Sequence, residues 1–128
     1  MSSIFQKIID REIPSYIIEE DEFHIAFLDV NPLKEGHTLV IPKKVVDYIF
    51  DIENKDLEAL IVFAKKVAAK IKGRITCTKI GISVIGLEVP HAHIHLIPLN
   101  SIADMNFSNQ KLKISSERML EIQSIINS

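Results

Sequence analysis

The sequence predicts a single α+β domain, and three observations predict it. From Lys55 to Lys72 apolar residues recur at helical spacing, several short apolar runs are bounded by Pro, Gly, Asn or acidic residues, and 128 residues with 47% hydrophobic content are enough for one core and short of two.

Taken in order, Ser3 is placed to cap a short helix over Ile4 to Asp10, with Phe5, Ile8 and Ile9 on one side. Pro14 breaks it. Tyr16 to Glu19 and Phe23 to Leu28 read as strands joined at Glu20-Asp21-Glu22, and Asp29 to Gly36 as a loop marked by Asn31-Pro32. His37 to Ile41 is the next strand, ended by Pro42. The helix over Lys55 to Lys72 presents Leu57, Leu60, Ile61, Ala64, Val67, Ala68 and Ile71 as one buried stripe, with Asn54 as N-cap and Gly73 as terminator. Such a stripe is core packing and carries no function. Thr76 to Val84 reads as a strand, Gly86 to Pro90 as a tight connection and Ala92 to Pro98 as a further strand. Leu99 to Lys113 is polar and irregular, and Ser116 to Asn127 is a final helix with Met119, Ile122, Ile125 and Ile126 inward.

The formal charge of −2, with Lys and Glu intermixed, gives no basic footprint for a nucleic acid. Cys77, the single cysteine, allows no intrachain disulfide and no cysteine-based zinc cluster, which fits a reducing compartment. The N-terminus has no signal-peptide pattern, and no run approaches the ~20 apolar residues that span a bilayer. The expectation is a cytoplasmic protein that binds neither nucleic acid nor membrane.

Function points to Pro90-His91-Ala92-His93-Ile94-His95-Leu96-Ile97-Pro98. On a strand His91, His93 and His95 would face one way and Ala92, Ile94 and Leu96 the other, giving an apolar face and a row of imidazoles. A lone strand histidine is usually an ordinary half-exposed residue, whereas three in register are costly to crowd because each ring needs hydrogen-bond partners and titrates near neutrality. Three chemistries use such a row: a metal site, a nucleophile with helpers, or a pH-sensing binding site. Composition does not separate them.

The segment His91-Ala92-His93-Ile94-His95-Leu96-Ile97 resembles the signature of the histidine triad family of nucleotide hydrolases and transferases, and the resemblance extends to Ile4-Phe5-Gln6-Lys7-Ile8-Ile9, Glu12-Ile13-Pro14-Ser15, Ala26-Phe27-Leu28-Asp29-Val30-Asn31-Pro32 and Gly36-His37-Thr38-Leu39-Val40-Ile41-Pro42-Lys43-Lys44. It covers residues 4 to 98, the triad domain proper; residues 99 to 128 are expected to form a C-terminal segment and helix of the same domain. The resemblance implies two main helices on an antiparallel sheet of about five strands, pairing as a homodimer. It also implies attack by His93 on the α-phosphate of a purine nucleoside phosphoramidate or dinucleoside polyphosphate, through a nucleotidyl-histidine intermediate, with no cofactor and no metal. A neutral imidazole attacks well near pH 7, so the implied chemistry is sound. His91, His95 and His37 would orient, donate to phosphate oxygens and protonate the leaving group.

By the same resemblance Asp29 is the ribose-binding carboxylate, although an Asp before Asn31-Pro32 also suits a plain Asx turn. Phe27, Val30 and Ile41 would wall the base pocket or simply fill the core, and His24 lies outside the pattern. Leu87 and Glu88 fall where the family commonly has Gln and a hydroxyl residue or Glu before the triad. Leu87 has no side-chain donor for phosphate, which can cost about 10²-fold in rate, so backbone amides around Leu87 to Val89 would have to serve. Val45 stands where another His is often found, and Gln6 offers no counterpart to the zinc ligands of some members. The alternative reading is a nucleotide-binding regulatory module with weak or lost turnover, and a metal-dependent hydrolase is a more distant one.

Overall fold

The computed structural model describes residues 3–128. Its centre is one antiparallel sheet, formed by β1 (Ile17–Glu20), β2 (His24–Leu28), β3 (Thr38–Pro42), β4 (Lys79–Ser83) and β5 (Ile94–Leu99) in the spatial order β1-β2-β3-β5-β4. Three helices, α1 (Ile4–Ile9), α2 (Asn54–Lys72) and α3 (Ser116–Asn127), and two 3-10 turns at Ile49–Asp51 and Ile102–Met105 complete it. The expected antiparallel sheet is therefore present, with the short N-terminal helix and the two longer ones.

Strand alternation divides the core in two. Ala26 and Leu28 of β2, Val40 of β3 and Ile94 and Leu96 of β5 point to one face, which meets Leu60, Phe63, Ala64, Val67 and Ile71 of α2 and Met119, Ile122 and Ile126 of α3. Each of the larger side chains here, taken fully out of water, contributes about 1.5–3 kcal/mol, so this face holds the helices. On the other face Ile25, Phe27, Leu39 and Ile41 pack under Phe5 and Ile8 of α1. A six-residue helix covers only part of that face. The uncovered remainder carries Asp29, His37 and His95, which share the parity of Phe27, Leu39 and Ile97.

Local chemistry sets the element ends. Ser3 accepts from the Gln6 amide and Ser115 from that of Arg118, capping α1 and α3. In α2 the cap position is Glu53 and not Asn54, which is already helical, and no side chain caps it. Gly73 ends α2 in a right-handed conformation, its amide bonded back to Ala69.

The strand expected from Ala92 is shorter at its start. The amide of His91 bonds to Val89 O and that of Ala92 to Val46 O, so neither is available to the ladder, and β5 begins at Ile94. Of the three triad histidines His95 alone lies within the regular strand, opposite Leu39 of β3 and Ser83 of β4. β4 is likewise shorter than Thr76 to Val84, spanning Lys79–Ser83; the Thr78 amide just before it is shared between Leu99 O and Asn100 Oδ1, which also accepts from the Thr78 hydroxyl. Within the irregular segment Ser101 and Asp104 form a capping box around the second 3-10 turn.

Candidate functional site

Four histidines and one carboxylate gather on the partly covered face. Gly36, at φ +93°, turns the chain so that His37 enters β3 from the loop. With Thr38 opposite Leu96 and Leu39 opposite His95, His37 sits diagonally from His95 on the same face. All four imidazoles are buried.

Hydrogen-bond partners determine which ring nitrogen carries each proton. His93 Nδ1 lies 2.7 Å from the His91 carbonyl, which only accepts, so Nδ1 holds the proton and Nε2 keeps its lone pair. The Leu33 amide donates to His37 Nδ1 at 3.0 Å, which puts the His37 proton on Nε2. That Nε2–H donates to His95 Nδ1 at 2.9 Å. His95 in turn must carry its proton on Nε2. The chain Leu33, His37, His95 thus ends in an N–H donor on His95, whose ring lies 5.0 Å from that of His93.

Burial keeps this relay neutral. It pushes His37 down from 6.5 to about 4, helped by the Lys111 charge, and pushes His95 down to about 4, helped by His37 and His93. His91 is lowered too, mainly by burial, against the opposing effect of its bond to Pro42 O at 2.7 Å. Its Nδ1 is buried and unpartnered. His91 serves His93 through its backbone oxygen, while its ring ties the segment to the end of β3.

Asp29 forms the Asx turn and leaves its second oxygen at the site. Oδ1 accepts from the Asn31 amide at 2.8 Å, the Asx turn, while Oδ2 lies 3.6 Å from His37 Nε2, beyond a hydrogen bond. Oδ2 therefore keeps acceptor capacity at the site. Val30, next to it, is 60% exposed, whereas Phe27 and Ile41 are buried, Ile41 beneath Phe5 in the apolar cluster. Leu87 is 88% exposed and Glu88 also faces solvent, so neither side chain packs at the histidines. Gly86 ahead of them has φ +71° in open space. His24 faces α2, stacked on Phe63 at 5.0 Å and donating from Nδ1 to Asp21, on the opposite side of the sheet.

Three contributors escaped the sequence reading. Phe5 packs edge-on against His93 (5.0 Å), His91 (6.1 Å) and Phe27 (5.6 Å). Phe107 packs against His95 (4.8 Å) and His37 (6.4 Å), and Lys111 lies over the Phe107 ring at 5.5 Å. An aromatic isolated in a polar run, with a lysine four residues on, was the available signal for the last two.

Asp29, His37 and His95 also have the residue types of a zinc site, with ligand atoms within 4.8 Å of one another. The donor pattern does not fit a cation. A metal on His37 Nε2 moves the ring proton to Nδ1, where it would confront the Leu33 N–H, whereas metal-bound imidazoles donate from their second nitrogen.

The HIT domain family profile matches residues 10–102. The chain is 36% identical over 127 residues to an uncharacterized HIT-like protein of Borreliella burgdorferi, across 93% of this chain and 91% of that protein. It is 38% identical over 96 residues to adenosine 5'-monophosphoramidase HNT1 of Saccharomyces cerevisiae, across 74% of this chain and 61% of the yeast protein. A crystal structure of a Hit-like protein involved in cell-cycle regulation from Bartonella henselae, with an unknown ligand, superposes with a TM-score of 0.84 at 30% identity, over 98% of this chain and 95% of that one.

Proposed function

Because the chain belongs to the HIT family, we propose that it is a nucleotidyl hydrolase or transferase acting on a purine nucleoside phosphoramidate or dinucleoside polyphosphate through His93. The observation that carries this reading is the His93 Nδ1 bond to the His91 carbonyl, which leaves Nε2 unprotonated and its ring fixed. Nε2 attacks the α-phosphorus as the bond to the leaving group breaks. The electron pair departs with the amine nitrogen, which takes up a proton from solvent water, or with the bridging oxygen. Water then attacks the same phosphorus, the P–Nε2 bond breaks, and the nucleoside monophosphate leaves with His93 restored.

His95 Nε2–H donates to a non-bridging phosphate oxygen, where charge grows in the transition state, and His37 fixes the orientation of that donor. Asp29 Oδ2 accepts from ribose hydroxyls, and Val30 with Phe27 beneath it walls the base. Backbone amides of the loop at Leu87 and Glu88 supply the remaining phosphate contacts. The yeast relative, a named adenosine 5'-monophosphoramidase, supports a phosphoramidate as substrate. β4 is an edge strand with one side of its backbone unpaired, which supports pairing with a second copy as a homodimer. No helix among the described residues is long and apolar enough to cross a membrane.

The test is incubation with adenosine 5'-phosphoramidate, measuring turnover and, by mass spectrometry, an adenylyl adduct that is absent in His93→Ala. AMP binding with neither adduct nor turnover would replace this reading with the regulatory binding module, which the solvent-facing Leu87 favours.

A further inference from the structure

The site's imidazoles donate hydrogen bonds but bring little charge. With His37 and His95 neutral near pH 7 and Asp29 bringing no positive charge, a phosphate-bearing ligand needs a cation from elsewhere. Lys111 is that cation. It makes no ion pair among the described residues, whereas Lys34, on the neighbouring loop, is held by Asp104 at 2.9 Å.

Its position is constrained at several points. Nζ donates to the Phe107 carbonyl at 2.7 Å and lies over the Phe107 ring, and the next amide, that of Leu112, bonds to Pro32 O at 2.8 Å. That bond ties the segment to the Asp29–Pro32 loop. Phe107 packs against His95 and His37, while Phe5 packs against His93 and His91. The cation therefore stands at the His95 end of the row, separated from the nucleophile by a ring.

We propose that Lys111, held on Phe107 beside His95, is a specificity-determining residue that binds the phosphates of an anionic leaving group. This rests on the nucleotidyl-transfer reading above. The two leaving groups make different demands. A phosphoramidate expels an amine, which needs a proton. A dinucleoside tetraphosphate expels a nucleoside triphosphate as the α-phosphorus to bridging-oxygen bond breaks, and the electron pair stays on an oxygen that needs no proton but adds to an anionic chain. A lysine ammonium is a point charge with three donors, suited to such oxygens as they gain charge.

The experiment compares kcat/KM for diadenosine tetraphosphate and adenosine 5'-phosphoramidate in the wild type, Lys111→Met and Lys111→Arg. Both substrates are measured on the same preparation, so a folding defect cancels in the ratio. The ratio of tetraphosphate to phosphoramidate activity is expected to fall about 10- to 100-fold in Lys111→Met and to be largely kept in Lys111→Arg. An unchanged ratio in Lys111→Met, or a wild type that cleaves the phosphoramidate and not the tetraphosphate, overturns the role of Lys111 and leaves the nucleotidyl-transfer reading standing. A wild type that cleaves neither overturns both.

Discussion

His37 Nε2 lies 2.9 Å from His95 Nδ1, and because the Leu33 amide already occupies His37 Nδ1, that contact has one proton arrangement. A backbone N–H contributed by the loop between β2 and β3 thereby sets the tautomer of a residue on β5. The donor presented by His95 is fixed before any ligand arrives, which is the condition under which a hydrogen bond aids a transition state without reorganisation.

Removing His37 exposes how much depends on it. His37→Ala leaves the buried Leu33 amide and His95 Nδ1 unsatisfied, at about 1–3 kcal/mol for each orphaned group. His37→Gln keeps a donor toward His95 at similar reach. Chemical denaturation is expected to rank wild type, Gln and Ala in descending stability, and the same order is expected in kcat. An Ala variant as stable as the wild type would show that Leu33 finds another partner.

Acid should destabilise the fold from pH 6.5 downward, before Glu20 and Glu35 lose their charge. His37 and His95 are held at about 4, below their ordinary 6.5, so between those values the unfolded chain binds the proton more readily. Stability is full above pH 6.5 and falls as pH drops toward 4. A pK unit is worth about 1.4 kcal/mol, so the first proton taken up by this hydrogen-bonded pair costs on the order of 3 kcal/mol. Glu20 and Glu35 titrate below their ordinary 4.5 and contribute only later in the descent. Urea midpoints that are flat from pH 6.5 to 4.5 would contradict the buried neutral pair.

Phe5 joins the N-terminal helix to the chemistry. It is buried against Phe27, His91 and His93, and Phe→Ala at such a site typically costs 3–5 kcal/mol. Phe5→Leu keeps most of the volume but loses the ring edge that steadies His93. Its expected signature is a small loss in thermal midpoint with a larger loss in kcat than in KM. Equal losses in both would assign Phe5 to packing alone.

Much of this was legible in the sequence, for identifiable reasons. Ser3, most of the α2 stripe and the bounds of α3 follow from local rules of capping and periodicity, but Ile61 and Ile125, expected inward, are exposed, and Phe63, outside the expected stripe, is buried. The triad was legible as a spacing, but the start of β5 was not, because it depends on Val46 and Val89, which capture two amides the alternation rule gives to the ladder. Asp29 could be read as an Asx turn or a ligand because the turn takes one oxygen and leaves the other free of it. Phe107 and Lys111 were hidden because the packing of Phe107 on His95, and of Lys111 on Phe107, is set by a loop that carries no periodic signal.

Chelators should leave turnover intact. The Asp29, His37 and His95 atoms are close enough for zinc, but Leu33 holds the wrong face of His37 for a metal-bound ring. Activity of EDTA-treated protein is expected to match that of untreated protein. Loss on chelation, with recovery on adding zinc, would reverse the tautomer assignment.

Leu87 gives the site its clearest opening for a gain. The side chain is 88% exposed and follows a glycine at φ +71° with open space around it, so Leu87→Gln strains nothing and should change stability by no more than about 0.5 kcal/mol. The new amide carries two donors on a loop joined directly to the triad segment, and one donor aimed at a phosphate oxygen is worth roughly 10²-fold where it is preorganised. An exposed loop side chain is not preorganised, so a gain of about 10-fold in kcat/KM is the expected size, a fraction of that ceiling. The gain should appear with both phosphoramidate and polyphosphate substrates, because the amide would contact the phosphate common to them. A Leu87→Gln protein that binds AMP as the wild type does and turns over no faster would mean that the backbone amides of this loop already fill the role.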